Sequence, residues 1–499
     1  MKRSVSPAGR QTPIEVLAQP NDNSGHDLDH SAHPADHQPI HSVTSHTQSR
    51  FESVSKKLNE GKPLRIVMLN DAGFNGGAGV ATGRQAISLM AGGHKIAMVC
   101  SFRNTPPRLR TRGRDLSEHW LGITELTKYN GWFGPIRDHD QTVNAVVDAV
   151  RAYTPDLVIV GNFHGGKWPF EIIKAIHDES IPTIVYTHDF HHITGGCVYP
   201  MDCTLHQSQC DSSCPSANDY PQIDRSQIAD AHNLRRECMT GNDPIPVAGN
   251  SQWVCDLTRK TLGSEACLGL LPLPIDTDLF SPIDKAVARR MLKIPGQAFV
   301  GVFGAVDMGN DHRKGLAFLP EVCQALQRSG KCHLISFGKH SEQLKHVRGF
   351  GMIGDHRVMP LLYSAADIQM SFSAWETFGQ TALEGASCQR PVVVRDSGGI
   401  TQIAHDEING IVVRPDTPEA FVESVLGLVE DKERREAMGN KGRELAIEHH
   451  SMDASRATIE QWLIAMGSGA TGSGSFGIAH QNANTFRRQL HQINIGGQR

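Results

Sequence analysis

Long hydrophobic runs are absent from this 499-residue chain, which nowhere holds the ~18 consecutive apolar residues that a membrane-spanning helix needs. A few basic residues stand at the N-terminus without an apolar segment behind them, so no secretory signal is expected. These two absences exclude a protein with helical membrane spans and predict a cytoplasmic location. At ~150 residues per domain, the length predicts two to three folded domains.

A strong charge of one sign is also lacking. The chain has 49 Lys plus Arg against 53 Asp plus Glu, a formal net charge of −4. A dedicated nucleic-acid-binding protein would show a strongly basic face, so nucleic acid is not expected as a partner. Of the eleven cysteines, four lie between residues 197 and 214 and the others are scattered. This distribution indicates reduced thiols with one local cluster.

Aromatic residues are missing before Phe51, and small or polar residues fill most of this N-terminal stretch. Such a segment cannot bury enough apolar surface to offset chain entropy, so we predict a disordered, His-rich polar tail over residues 1–60. Scattered histidines in a polar tail seldom bind a metal. Glycines and serines that begin at residue 467 predict a second flexible tail over 467–499. The histidines of the first tail are His26, His30, His33, His37, His41 and His46.

Between the tails, short Val- and Ile-rich runs alternate with helical patterns. Runs without polar alternation are typical of parallel strands covered on both faces, and strand–helix repetition predicts right-handed crossovers. The fold class is therefore α/β, with two Rossmann-like, doubly wound parallel-sheet domains that face a cleft. We place these domains at 61–275 and 276–451, and we expect a terminal helix at 452–466 to pack back toward the N-terminal domain. The predicted strands are Leu64–Leu69, Ile96–Cys100, Asp156–Val160, Pro182–Tyr186 and Pro246–Gly249, then Ala298–Phe303, Cys332–Phe337, Ile368–Phe372, Pro391–Val394 and Gly410–Val413.

Ligands of open parallel sheets bind at the carboxyl ends of the strands, so the loops there are the first candidates for a site. The loop after the first strand contains Gly77, Ala78 and Gly79, whose backbone amides can approach an anion at a helix N-terminus. A dinucleotide fingerprint is one alternative, but the spacing of Gly77, Gly79 and Gly83 is wrong and no acidic residue ends the second strand. A tight turn without a ligand is the other alternative.

Two loops of the second domain carry charge. Arg313 and Lys314 follow a strand end, where a forked and a compact cation can neutralise a diphosphate, although a solvated basic loop is equally consistent with them. Glu376 and Glu384 are eight residues apart, about two helical turns, and so share a helix face. Carboxylates for sugar hydroxyls beside helix-end amides for phosphate are what a nucleotide-sugar requires.

The segment ETFGQTALEGASCQRPVV, followed by SGGITQI and NGIVV, resembles the E-x7-E signature region of family 4 retaining glycosyltransferases with the GT-B fold. A second block, YTHD followed by TGGCVYP and three further cysteines, resembles the colanic-acid branch of that family, which builds bacterial exopolysaccharide. The resemblance covers residues 63–466. It implies an enzyme that moves a hexose from a nucleotide-diphosphate sugar to a hydroxyl of a glycan or lipid-linked acceptor.

The resemblance also implies roles for individual residues. His188, Glu376 and Lys314 would be catalytic, with Glu376 on the donor sugar and Lys314 on the diphosphate. Glu384 would bind the ribose hydroxyls. His164 would lie on the acceptor side, where a merely structural histidine is the alternative. The full donor-binding set is Gly77, Ala78, Gly79, Arg313, Lys314, Glu376, Thr377, Phe378, Gly379 and Glu384, and the acceptor-side pair is His164 and Asp189.

The cysteine cluster has the spacing C-x5-C-x6-C-x3-C. A structural zinc held by four thiolates, disulfides and free thiols all stay open. Retaining transfer on the GT-B fold is expected to need no cofactor for the chemistry. The cluster consists of Cys197, Cys203, Cys210 and Cys214.

Two other functions stay open: a synthase or phosphorylase of the same fold acting on a soluble acceptor, and a two-domain binding protein without turnover. A lipid-linked acceptor would bring the protein to the inner face of the membrane. Residues 104–114 contain four arginines that could face anionic lipid, and a solvated loop is the alternative.

Overall fold

A computed structural model describes residues 43–71, 76–100, 139–263, 266, 268–309, 312–315 and 317–469, together with the backbone of 110–111 and 114–115. Within these ranges the strands form two six-stranded parallel sheets. A separate antiparallel pair joins β3 (Arg110–Thr111) to β4 (Arg114–Asp115).

The first sheet has the order β2-β1-β5-β6-β7-β8. Its strands are almost entirely buried, as expected for apolar runs covered by helices on both faces. The break in strand order between β1 and β5 places the ends of both strands at one crevice. The strands are β1 (Arg65–Leu69), β2 (Lys95–Val99), β5 (Leu157–Val160), β6 (Thr183–Thr187), β7 (Val247–Gly249) and β8 (Leu268–Leu270).

The second sheet repeats the design with the order β11-β10-β9-β12-β13-β14. Its reversal point lies between β9 and β12, so the loops after these two strands meet at its carboxyl edge. The strands are β9 (Phe299–Asp307), β10 (Cys332–Lys339), β11 (Arg348–Gly349), β12 (Ile368–Ser371), β13 (Val392–Arg395) and β14 (Gly410–Val413).

Helices cover both sheets and continue to the C-terminal end of the described chain. The N-terminal domain contains α1 (Ser45–Asn59), α2 (Gly76–Ala91), α3 (His139–Tyr153), α4 (Glu171–Asp178), α5 (Ile228–Thr240) and α6 (Gln252–Leu262). The later helices are α7 (Lys285–Leu292), α8 (Leu319–Arg328), α9 (Met359–Ala365), α10 (Gln380–Ser387), α11 (Pro418–Glu430), α12 (Lys432–His450) and α13 (Met452–Ser468).

The prediction of a disordered tail through residue 60 is wrong for residues 45–59, which form α1. Thr44 caps the helix by accepting a hydrogen bond from the Thr47 amide, and Phe51 is fully buried in the main core against α13. The polar composition of α1 obscured its amphipathic pattern, in which a few apolar residues lie on the side that packs against α13. Residues 1–42 of the predicted tail, and 470–499 of the second one, lie outside the described residues.

The chain passes between the two domains twice. It leaves the first sheet after β8, and after α12 it returns through Ser451 into α13, which contacts α1 and α2. The two crossings run side by side, because the Ile275 amide donates to the His450 carbonyl at 2.7 Å and Ile275 forms a bridge with Ser451. Residues 104–109 and 112–113 of the arginine-rich loop lie outside the described residues. Among the described helices, none is long and apolar enough to cross a membrane.

Candidate active site

A cavity of about 470 Å³ lies between the two domains and is lined by loops at the carboxyl ends of both sheets. Its volume falls within the range of small-molecule sites. The N-terminal wall includes Asn70, Asp71, Gly76, Gly77, Ala78, Asn162, His164, Gly165, His188, Asp189, Tyr199 and Tyr220. The C-terminal wall includes Phe303–Met308, Arg313, Lys314, Ser371–Ser373, Trp375 and Glu376–Thr381.

Lys314 and Glu376 meet on the C-terminal wall, where Lys314 Nζ lies 2.6 Å from Glu376 Oε2. The turn that carries Lys314 is closed by Gly315, whose φ of +73° favours glycine. A Cβ atom at Gly315 would lie 1.8 Å from the Phe372 carbonyl oxygen, so the turn packs directly on the end of β12. The Arg313 carbonyl accepts the Ala374 amide at 2.7 Å and fixes the two loops together.

The N-terminus of α10 lies at the same wall, where Gly379, Gln380 and Thr381 line the cavity. The helix begins at Gln380 after Gly379, whose φ of +95° suits only glycine at this turn. Gln380 Nε2 donates to the Gly77 carbonyl at 2.6 Å, which brings the glycine loop of the N-terminal domain against this helix. Phe378 and Thr377 line the cavity, as the sequence predicts for the donor site.

Glu384 departs from its predicted position. It does not line the cavity, and both carboxylate oxygens are engaged: Arg84 Nη2 donates to Oε1 at 2.5 Å and Tyr363 Oη donates to Oε2 at 2.7 Å. In this conformation the Glu384 carboxylate is bonded to Arg84 and Tyr363, and its ribose-binding role stays a prediction. Gly79 is likewise buried in α2 and does not line the cavity, whereas Gly77 and Ala78 do.

His188 stands at the end of β6, where the two domains touch. Its carbonyl accepts a hydrogen bond from Thr377 Oγ1 at 3.0 Å, and its Nε2 lies 3.3 Å from Thr82 Oγ1. Burial lowers the pKa of His188 to about 4, so the imidazole is neutral near pH 7. A neutral ring can accept or donate a hydrogen bond to a sugar hydroxyl without adding charge.

His164 and Asp189 form a second polar group on the N-terminal wall. His164 Nε2 donates to Asp189 Oδ2 at 2.8 Å, and Asn162 Nδ2 donates to the same oxygen at 3.0 Å. Burial opposes protonation of His164, but the charge and hydrogen bond of Asp189 outweigh it and raise the pKa of the imidazole. His164 is therefore not an isolated structural histidine, because it is paired with a carboxylate inside the cavity.

Several cavity residues were not predicted from the sequence. Tyr199 follows the cysteine of the TGGC segment, and Arg313 lies over its ring with 4.8 Å between the guanidinium carbon and the ring centroid. Burial raises the pKa of Tyr199 to about 12. Asp71 comes shortly after β1, and a polar residue just beyond a buried strand could have indicated a site residue. Tyr220 lies in an irregular segment whose sequence carries no pattern that points to a cleft.

The four clustered cysteines are free thiols in a loop beside the N-terminal wall. Cys210 and Cys214 pack with Ala217 and Ile228 in a small apolar cluster. Within the described part of the chain, no three His, Cys, Asp or Glu side chains are grouped so that they could hold a metal ion. The arrangement thus gives no support to the predicted zinc site.

Known structures share this arrangement of domains. HepE from Anabaena, solved in complex with UDP-glucose, is similar with a TM-score of 0.58 over 79% of this chain and 98% of its own, at 16% sequence identity. Sucrose-phosphate synthase from Thermosynechococcus elongatus is similar with a TM-score of 0.57 over 80% of this chain and 98% of its own, at 18% identity. The fold is the GT-B fold. The GT-B fold predicted from the sequence is confirmed.

One family model matches a segment within the C-terminal domain of this GT-B chain. Residues 299–431 match the family model described as "Glycosyl transferases group 1". The lipopolysaccharide core biosynthesis mannosyltransferase LpsB of Rhizobium meliloti is 28% identical over 187 residues, which are 34% of this chain and 52% of LpsB. The chain thus spans about half the length of this curated relative. The predicted resemblance to glycosyltransferases is supported over the C-terminal domain, and the colanic-acid branch stays a prediction.

Proposed function

We propose that this protein is a retaining glycosyltransferase that moves a hexose from a nucleotide-diphosphate sugar to a hydroxyl of a glycan or lipid-linked acceptor. The observation that carries the proposal is that Lys314, Glu376 and the N-terminal residues of α10 line one cavity together with His188 of the other domain. A cation, hydroxyl-binding groups and a helix N-terminus around one cavity match the needs of a sugar diphosphate.

The donor would occupy the C-terminal wall. Its diphosphate would lie against Lys314, Arg313 and the first amides of α10, where the positive end of the helix dipole adds to the two cations. Glu376 would then exchange part of its contact with Lys314 for hydroxyls of the donor sugar, since a carboxylate accepts several hydrogen bonds at once. His188, neutral near pH 7, would bind a sugar hydroxyl from the opposite wall.

The chemical step breaks the bond between the anomeric carbon and the leaving phosphate oxygen, and forms a bond to the acceptor oxygen on the same face. The acceptor proton passes to the departing phosphate oxygen, so no separate carboxylate base is needed. Negative charge that develops on the phosphate is stabilised by Lys314, Arg313 and the helix-end amides. The contacts that join the two walls exclude water and so limit hydrolysis of the donor.

The relatives support a place in cell-surface polysaccharide synthesis. LpsB is named for lipopolysaccharide core biosynthesis, and HepE was solved with UDP-glucose. We extend this to exopolysaccharide synthesis on the sequence block that ends in TGGCVYP, with an acceptor that brings the protein to the inner face of the membrane.

The experiment is a donor screen followed by two variants. Purified protein is tested against UDP-, GDP- and ADP-sugars by thermal shift, because a ligand that favours the folded state raises the melting temperature. With the selected donor, Lys314→Ala and Glu376→Ala are each expected to lower transfer at least ~100-fold while folding persists. The matched control is Lys331→Ala, which removes a Lys–Glu pair of the same 2.6 Å length that lies outside the cavity.

Product analysis separates this proposal from its alternatives. Transfer to a lipid extract or glycan with retained anomeric configuration supports it. Efficient transfer to a soluble monosaccharide alone would favour a synthase of the same fold. Donor binding without release of nucleoside diphosphate under any condition would favour a binding protein. Near-normal turnover in both variants would refute the assignment of the site.

A further inference from the structure

Tyr220 places an aromatic ring at the wall of the cavity. It lies in the irregular segment that follows the cysteine cluster, and 58% of its surface is exposed although it lines the cavity. Its hydroxyl lies 3.1 Å from His164 Nδ1, and the two rings meet edge to face with centroids 5.3 Å apart. An anchored but uncovered aromatic ring at a cavity wall offers an apolar face to a ligand.

The groups around Tyr220 are suited to hydroxyls. His164 is held by Asp189, and Asp71 Oδ2 accepts the Gly166 amide at 2.6 Å. A Cβ atom at Gly165 would lie 3.3 Å from Tyr220 Oη and 3.4 Å from Asp71 Oδ2, which shows how close these groups are to one another. An apolar ring face beside carboxylate and imidazole groups is the combination that a sugar ring can use, since one side of a pyranose is apolar and its edge carries hydroxyls.

The charges of the two walls differ. Among the described residues that line the cavity, the only Arg and Lys side chains, Arg313 and Lys314, belong to the C-terminal wall, which also carries the carboxylates of Asp307 and Glu376. Arg313 reaches the edge of the N-terminal wall, where it lies over the ring of Tyr199. The described part of the N-terminal wall carries the carboxylates Asp71 and Asp189, with His164 paired to the second. An anionic group on an acceptor that is stacked on Tyr220 and bonded to the His164–Asp189 pair would lie beside the Asp71 carboxylate, and like charge at that range in a partly buried site disfavours it.

We propose that the N-terminal wall selects an uncharged sugar ring as acceptor, with the ring stacked on Tyr220 and one hydroxyl bonded to the His164–Asp189 pair. This inference rests on the proposed function and names its acceptor class. Tyr220 then determines specificity, and His164 positions the acceptor hydroxyl toward the donor on the opposite wall.

The test measures acceptor binding directly, so that it does not depend on turnover. Saturation-transfer NMR is recorded with UDP present, using methyl α-glucoside and methyl α-mannoside as neutral probes and glucose 6-phosphate as the charged one. We expect a neutral probe to bind and the charged probe to give at least a ~10-fold weaker signal. Tyr220→Ala should abolish the neutral signal, and Tyr220→Phe, which keeps the ring, should retain most of it.

Controls separate the outcomes. Met291→Ala truncates a side chain that is equally exposed, at 61%, but lies on α7 outside the cavity, and it should bind the probes as the unmodified protein does. Glucose 6-phosphate binding as well as the neutral probes, neutral binding unchanged in Tyr220→Ala, or no probe binding at all would each overturn the inference. Failure of the proposed function would appear elsewhere, as absence of donor cleavage with every nucleotide sugar.

Discussion

The guanidinium of Arg84 on α2 lies 2.5 Å from the carboxylate of Glu384 on α10, so that a buried ion pair joins the two domains. The two side chains are 6% and 8% exposed, and Tyr363 Oη donates to the second carboxylate oxygen. The charge of Glu384 is therefore compensated from both domains. In this conformation the pair joins α10 to α2 of the N-terminal domain.

Removing one partner of this pair should destabilise the protein. Glu384→Gln and Arg84→Met are each expected to lower the free energy of unfolding by about 3–5 kcal/mol, because each leaves one charge buried without its counterion. The double variant should recover part of that loss, and urea unfolding measures all three. If Glu384 acted on ribose instead, Glu384→Gln would weaken nucleotide binding at native stability, and Arg84→Met would not.

Changes to the Lys314–Glu376 pair, in contrast, should reduce donor affinity and leave stability nearly unchanged. Both side chains are partly exposed, so this pair contributes at most about 1 kcal/mol to stability. Exchanging the charges with Lys314→Glu and Glu376→Lys should leave the melting temperature nearly unchanged and reduce donor affinity at least ~100-fold. The reason is that the diphosphate then meets a carboxylate. Native donor affinity in the exchanged variant, measured by calorimetric titration, would contradict the site.

Gly315 and Gly330 offer a controlled comparison of backbone strain. Both have positive φ, +73° and +66°, so an alanine at either position costs about 1 kcal/mol in strain. A Cβ at Gly315 would in addition collide with the Phe372 carbonyl, whereas a Cβ at Gly330 meets nothing within 4 Å. We expect Gly315→Ala to lose donor binding through displacement of Lys314, and Gly330→Ala to retain it. Equal behaviour of the two variants would argue against a rigid Lys314 turn.

Helix α1 should be essential to stability despite its polar sequence. Phe51 is fully buried between α1 and α13, and a Cβ at Gly467 would lie 2.3 Å from the Phe51 carbonyl oxygen, so the two helices are in close contact. Phe51→Ala is expected to cost about 3–5 kcal/mol in the free energy of unfolding. The neighbouring exposed residue gives the control, Glu52→Ala, which should change stability by less than about 0.5 kcal/mol.

Acidification should destabilise the fold between pH 7.5 and 5.5. Among the buried histidines, four have pKa values lowered to about 4 or below because burial disfavours the charged ring. Since the folded pKa lies below the unfolded value of ~6.5, stability is complete above pH 6.5 and is lost as the pH falls, on the order of 1 kcal/mol for each group by pH 5.5. The histidines are His188, His192 and His206, with pKa values of about 4, and His450, with about 3.

His164 on the cavity wall opposes this trend, as does the exposed His139. The pKa of His164 is raised, so its contribution to stability is present below pH 6.5 and is lost as the pH rises through its folded pKa. The net change of stability with pH should still follow the four histidines with lowered pKa values, because they outnumber those with raised values. Urea unfolding at the two pH values measures the slope, and His450→Asn, which can still donate to the Leu273 carbonyl, should reduce it by about one histidine. Equal or higher stability at pH 5.5 would contradict the expectation.

The sequence predicted ten of the strands and their two-sheet organisation because buried parallel strands are continuous apolar runs. It missed β8 and β11, which lie at the sheet edges and consist of Leu-Gly-Leu and Arg-Gly, without a run of Val or Ile. It predicted Lys314, Glu376 and His188 in one cavity, since loops at the same sheet edge must meet. It could not foresee that Glu384 pairs with Arg84, because that contact joins residues 300 positions apart and depends on how the domains close.

The paired crossings at Ile275 and Ser451 have a mechanical consequence. Because the Ile275 amide is bonded to the His450 carbonyl, both connections bend along one line. Rotation about that line preserves the bond, whereas sliding or twisting of one domain against the other would break it. We therefore expect the domains to open by a swing about this line, so that a substrate enters at the side of the cleft farthest from it.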